Sequence, residues 1–185
     1  MYNRISIVNL KGGVGKTTIA FNLAKELNFF LISNDDSIIE VAYPQMSKIM
    51  KEPKTIDNVV YDFGGFVDTN IIHIINDSDL VIVPLTSDLN SVKKTVSLLS
   101  EIDNDNIIIV ANRSDNDDFA DIKKYFKDKY PIFEIKNSKI WKKSFEAKKS
   151  VLEIKNSSKL NKYIYRNSIN GFEELINFVK GKKQC

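Results

Sequence analysis

Arg4-Ile5-Ser6-Ile7-Val8-Asn9-Leu10-Lys11-Gly12-Gly13-Val14-Gly15-Lys16-Thr17-Thr18 runs from a short apolar segment into a glycine-rich turn. Beyond it, Ile19, Leu23, Ala24 and Leu27 recur at helical spacing, so the chain opens as strand, glycine loop, helix. Gly12, Gly13 and Gly15, with Val14 between them, let backbone amides turn inward on phosphate oxygens, and the helix that starts at the loop adds its positive end. In a loop of this spacing Lys16 reaches the β and γ phosphates, the Thr17 hydroxyl ligates magnesium, and Thr18 continues the cradle. A chance glycine turn has no reason to fall directly between an apolar strand and an amphipathic helix.

Outward from the loop, short apolar runs recur at Phe29 to Ile32, Val59 to Tyr61, Leu80 to Val83, Ile107 to Val110 and Ile132 to Ile135. Most lack polar alternation, the pattern of strands covered by helices on both faces. Thr69 to Ile75, Leu89 to Ser100, Asp118 to Lys129 and Phe172 to Lys180 supply helical segments between and after them. The expected fold is therefore α/β, a doubly wound, mostly parallel sheet flanked by helices, of the P-loop NTPase kind. Asn34 to Asp57 reads as irregular, with Tyr-Pro and Glu-Pro interrupting a possible helix around Gln45 to Met50. Asp115, Asp117, Asp118 and Asp121 read as the acidic first turn of a helix.

The 185 residues, 43% hydrophobic and 28% charged, suit a single domain over 1–185. No apolar run approaches the roughly 18 residues needed to cross a bilayer, and the N-terminus lacks the order of a secretory signal, so a cytoplasmic chain is expected. The one cysteine, Cys185, excludes an intramolecular disulfide or a cysteine metal cluster within one chain. The one histidine, His73, lies on an apolar stretch and reads as structural rather than catalytic. With 27 basic against 24 acidic side chains, the net charge of +3 does not announce a nucleic-acid binder, so any basic partner surface is local.

Lys11 makes the loop more specific. Lys11-Gly12-Gly13-Val14-Gly15-Lys16-Thr17-Thr18 resembles the deviant Walker A loop of the ParA/MinD family of ATPases, most closely the short plasmid-type ParA proteins, which have no N-terminal helix-turn-helix domain. The resemblance implies ATP and ADP as ligands with Mg2+, and an ATP-dependent homodimer in which Lys11 reaches the partner's phosphates. Val59-Val60-Tyr61-Asp62-Phe63-Gly64-Gly65 resembles the family's Walker B strand, which makes Asp62 a magnesium residue beside Thr17, although a strand-end Asp can also be a turn former. Asn112, after the strand Ile107 to Val110, stands where the family places an adenine-contacting Asn; an Asn that merely closes a strand is the alternative.

One stretch departs from the family pattern of Asp-x-Asp-Pro-Gln. Here Ser33-Asn34-Asp35-Asp36-Ser37 keeps an acid only at the second position. Asp35, with Asp36 as the alternate, is expected to orient the attacking water, and hydrolysis is expected to be slow.

Between Lys136 and Lys149 six lysines face one glutamate, a local charge of +5 interleaved with Trp141 and Phe145. By resemblance to DNA-partition ATPases, Lys139, Lys142, Lys143, Lys148 and Lys149 become candidates for nonspecific contact with DNA phosphates, while the two aromatics read as core. The family also implies nucleoid association and a centromere-binding ParB-type partner that stimulates hydrolysis. The competing reading is a MinD-like membrane- or pole-associated positioning ATPase for a non-DNA cargo. It would use the apolar face of Phe172, Leu175, Ile176 and Val179 with Lys180, Lys182 and Lys183, but those residues fit a core helix better, so membrane attachment is not expected.

Overall fold

A computed structural model describes residues 2–65 and 69–181; Lys182, Lys183 and Cys185 lie outside the described residues. The chain alternates strand and helix from its first element. β1 (Arg4–Val8) leads through the glycine loop into α1 (Lys16–Leu27), then β2 (Phe30–Ser33), α2 (Ile39–Ala42), β3 (Ser47–Ile49) and β4 (Val59–Phe63). α3 (Thr69–Asn76), β5 (Leu80–Leu85), α4 (Leu89–Leu99), β6 (Ile107–Ser114), α5 (Asn116–Phe126) and β7 (Ile132–Lys136) follow, and α6 (Ile140–Ala147), α7 (Val151–Asn156) and α8 (Lys159–Val179) close the chain. The seven strands form one sheet, β3-β2-β4-β1-β5-β6-β7, with every pairing parallel.

Alternate residues of each strand feed two cores, which explains the unbroken apolar runs. Ile5, Ile7, Leu31, Val60, Ile82, Ile108 and Val110 pack on one face with α1 and α8. Tyr61, Phe63, Val81, Val83, Ile107 and Ile109 pack on the other with α3 and α5. His73 is on the exposed side of α3. Three of the four acids stand at the start of α5, with Asp115 accepting from the Asp117 and Asp118 amides and Asp118 accepting from the Asp115 amide, whereas Asp121 lies beyond the first turn and pairs with Lys124 at 2.7 Å. Both choices follow from local chemistry.

Two expectations need correction. Asn34 to Asp57 is not wholly irregular, and around Gln45 to Met50 the chain forms an edge strand rather than a helix. β3 pairs Ser47 with Leu31 and Ile49 with Ser33, and the Met50 amide donates to Ser33 O at 2.8 Å. A three-residue strand shows no period, so the open edge of β2 decides its conformation. The last helix is also longer than expected, starting at Lys159 with Ser158 as its cap. Leu160, Tyr163 and Ile164 are exposed in its first turns and mask the amphipathic pattern, while Gly171 interrupts it. That glycine is required by packing, because a Cβ there would sit 1.7 Å from Glu134 O of β7.

Phe172, Leu175, Ile176 and Val179 are all buried, so the face that a membrane tail would need is committed to the core. No helix among the described residues is long and apolar enough to cross a membrane. Phe145 stacks on Phe21 at 4.6 Å and Trp141 meets Phe172 edge-on at 5.5 Å, so both aromatics are packing residues.

Candidate nucleotide site

The carboxyl ends of the parallel strands converge on the glycine loop, where open α/β sheets bind ligands. Gly15 caps α1 with φ 92°, and no side chain occupies that cap, so the first amides of the helix remain available to an anion. Asn9 fixes the loop's entry. Its buried amide donates to Pro84 O and Thr95 Oγ1, each at 2.8 Å, and its Oδ1 accepts the Lys11 amide at 2.8 Å.

A cavity of about 350 Å³ follows the loop, lined by Gly12, Gly13, Gly15, Lys16, Thr17 and Thr18 together with Asp35, Asp62, Gly64, Gly65 and Arg113. Val14 is buried behind it. Asp36 is not among the lining residues, so of the two acids only Asp35 meets the cavity. Lys16 is itself buried and donates to Lys11 O at 3.1 Å. Burial lowers the pKa of its ammonium; the Asp62 and Asp35 carboxylates oppose that shift, and the Lys94 charge adds to it. A buried cation on the wall of this loop cavity is suited to phosphate oxygens.

Asp62 is 1% exposed. Its Oδ2 accepts from the Thr17 hydroxyl at 2.7 Å and from Ser33 Oγ at 3.2 Å, whereas its Oδ1 is buried with no hydrogen-bond partner. Burial raises its pKa to about 6, against the opposing pull of the Thr17 hydrogen bond and of Lys16. An orphaned carboxylate oxygen beside a threonine hydroxyl fits a hard divalent cation, which would supply the missing partner. The two oxygens expected to hold magnesium are thus adjacent.

Ser33 replaces the first acid of the family pattern and performs a different task. Fully buried, its hydroxyl can donate to Asp62 Oδ2 or Asp62 O and accepts the Asp35 amide at 3.2 Å. A carboxylate there would repel Asp62. The Asn34 side chain brackets Gly64, accepting its amide at 2.8 Å and donating to its carbonyl at 3.3 Å, which ties the Asp35 turn to the end of β4.

A second pocket of about 360 Å³ shares Thr18 and Arg113 with the first and is walled by Asn112, Trp141, Lys142 and Phe145. Asn112 Nδ2 donates one of its two hydrogens to Val14 O at 2.7 Å, which fixes the amide and leaves its Oδ1 and second N–H for a base. Arg113, at φ 57°, borders both cavities. Together they form one groove with a phosphate end and an aromatic-edged end.

Lys11 does not line this chain's own phosphate cavity. Its ammonium sits 2.5 Å from Asp88 Oδ1, at the cap of α4. That ammonium and then the Thr86 hydroxyl hold the Asp88 carboxyl down at about 2. Asp88 lies 77 residues away and carries no motif, so only an observed crossing of loop and helix could reveal it.

The basic segment is divided. Lys142 borders the second pocket and pairs with Glu146 at 3.7 Å, and Lys143 donates to the Tyr165 hydroxyl at 2.8 Å. All five lysines, Lys139, Lys142, Lys143, Lys148 and Lys149, are exposed.

Residues 5–151 match the CobQ/CobB/MinD/ParA nucleotide binding domain. No curated protein sequence matches the chain. Among solved structures, it resembles an ATP complex of an Asp-to-Ala variant of McdA from Cyanothece (TM-score 0.65, 15% identity, covering 98% of this chain and 97% of the other). It also resembles a plasmid partition protein from Borrelia burgdorferi (0.58, 16%, 83% and 98%). MinD from Pyrococcus horikoshii OT3 with Mg-ADP is similar too (0.61, 14%, 98% and 98%). At these identities the likeness to solved structures speaks for the fold. The family model spans most of the sequence, and with it the chain belongs to the CobQ/CobB/MinD/ParA nucleotide-binding family.

Proposed function

We propose that the chain is a slow, magnesium-dependent ATPase that dimerises on ATP, binds nonspecific DNA as the dimer and leaves it on hydrolysis, in the service of plasmid or chromosome partition. The observation that carries this reading is the position of Lys11. Its ammonium lies outside its own phosphate cavity and is held by an exposed carboxylate, from which a second chain's nucleotide can take it. A buried anion on the partner offsets the desolvation of that cation.

In this reading the loop amides and Lys16 bind phosphates, and Thr17 and Asp62 hold Mg2+, which neutralises charge on the terminal phosphates. Asn112 offers Oδ1 to the exocyclic amine of adenine. Asp35 orients water at the phosphate end. Asp35→Ala is expected to bind ATP and dimerise while hydrolysing little; turnover equal to the unaltered chain, measured by phosphate release, removes the assignment.

Lys139, Lys143, Lys148 and Lys149 present charge to DNA phosphates, with Lys142 divided between Glu146 and the nucleotide groove. If about three lysines per chain contact phosphates, doubling the surface takes the log–log salt slope from roughly −3 to roughly −5 or −6. Retention on DNA should therefore require ATP and collapse between low and moderate salt. Equal retention without nucleotide sinks the switch, and ATP-dependent sedimentation with liposomes instead of DNA favours a positioning ATPase for another cargo. A ParB-type partner is expected to accelerate hydrolysis and set the direction of release.

A further inference from the structure

A third cavity, of about 710 Å³, lies beside the phosphate end of the groove. Leu10 and Gly65 form one wall, and Asn90, Lys93 and Lys94 of α4 form another. Gly65 also lines the phosphate cavity, so the two meet there. The base pocket meets the phosphate cavity elsewhere, at Thr18 and Arg113. A nucleotide whose base occupies the aromatic-edged pocket therefore directs its outermost phosphate toward Gly65 and the α4 cavity.

The α4 wall is fastened in place. Thr95 accepts from Asn9 at 2.8 Å, and Asp88 holds Lys11, so the helix is tied to the loop on both sides of Lys94. Lys94 is half-buried and, among the described residues, has neither an ion-pair nor a hydrogen-bond partner. An unpaired ammonium on the wall of a cavity is available to an anionic ligand. Its field already reaches the loop, since it adds to the burial that lowers the Lys16 ammonium.

We propose that Lys94 is a nucleotide-contacting residue that reaches through the junction at Gly65 to the terminal phosphate, distinguishing a nucleoside triphosphate from a diphosphate within the same chain. This rests on the nucleotide reading above and adds to it a discriminating cation from α4. Lys16 serves the inner and outer phosphates from the loop, Lys11 is directed to a second chain, and Lys94 senses the outermost group of its own nucleotide.

The test is calorimetric titration of the full chain with AMPPNP and with ADP, both with magnesium, in a Lys11→Ala background so that dimerisation does not enter. Lys94→Ala should weaken AMPPNP about tenfold, the size of one lost charge-assisted hydrogen bond, and leave ADP unchanged. Lys94→Arg should recover most of the loss, and Lys93→Ala, one residue away on the same wall, should keep both affinities. Equal weakening of both nucleotides, no weakening, or the same loss from Lys93→Ala overturns the proposal. Failure of the Lys11→Ala chain with Lys94 intact to bind either nucleotide removes the nucleotide reading itself, and this inference with it.

Discussion

Asp62→Asn is expected to raise the stability of the ligand-free fold at pH 7 by about 2 kcal/mol while abolishing magnesium-dependent hydrolysis. The carboxyl is buried and its pKa stands at about 6 rather than the ordinary 3.8. The folded chain therefore holds this proton more tightly than the unfolded chain does. From about pH 4 to 6 the folded state binds more protons, so this group's contribution to stability is full below about 4 and is lost as pH rises through 6. A shift of this size corresponds to at most about 3 kcal/mol, part of which a buried amide would still cost. The Asn side chain keeps an oxygen for Thr17 and Ser33 but offers a cation no charge. Urea denaturation at pH 4.5 and 7.5 checks both halves. The unaltered chain should lose stability between the two values relative to Asp62→Asn, and magnesium should add to the stabilisation by nucleotide only in the unaltered chain. An Asn variant less stable than its parent at pH 7.5 would show that the carboxylate is already neutralised by its neighbours.

The same residue shows why parts of this site are legible in a sequence and others are not. Asp62 ends an apolar run, and the glycines around Lys16 occur at fixed spacing, so local order encodes both groups. The parallel sheet is legible for a similar reason, because strands buried on both faces leave runs such as Leu80 to Val83. Ser33 is different: its value lies in bridging Asp62 and the Asp35 amide, contacts set by the pairing of β2 with β4. β3 is set by an open sheet edge, and the first half of α8 by exposed apolar residues that mimic irregular chain. Asp88 gains meaning only where α4 crosses the loop. Non-local contact, not composition, makes each of them part of the site.

That distinction is sharpest at Gly15, where a motif glycine answers to a residue far along the chain. Its φ of 92° disfavours any side chain, and a Cβ there would lie 2.1 Å from Asn112 Nδ2. Gly15→Ala therefore faces a backbone cost of about 1–2 kcal/mol and displacement of the Asn112 amide from Val14 O, worth about 1–2 kcal/mol more. The expected result is a fold weakened by about 2–4 kcal/mol and nucleotide affinity reduced about 100-fold or more, since both the amide cradle and Asn112 Oδ1 move. The two causes separate in a double-mutant cycle. In an Asn112→Ala background the steric conflict is gone, so Gly15→Ala should then cost only the backbone part, leaving a coupling of about 1–2 kcal/mol. Denaturation of the four chains gives that coupling directly. Simple additivity would mean that the loop tolerates the methyl group without moving Asn112, and that the phosphate and base ends of the groove are held independently.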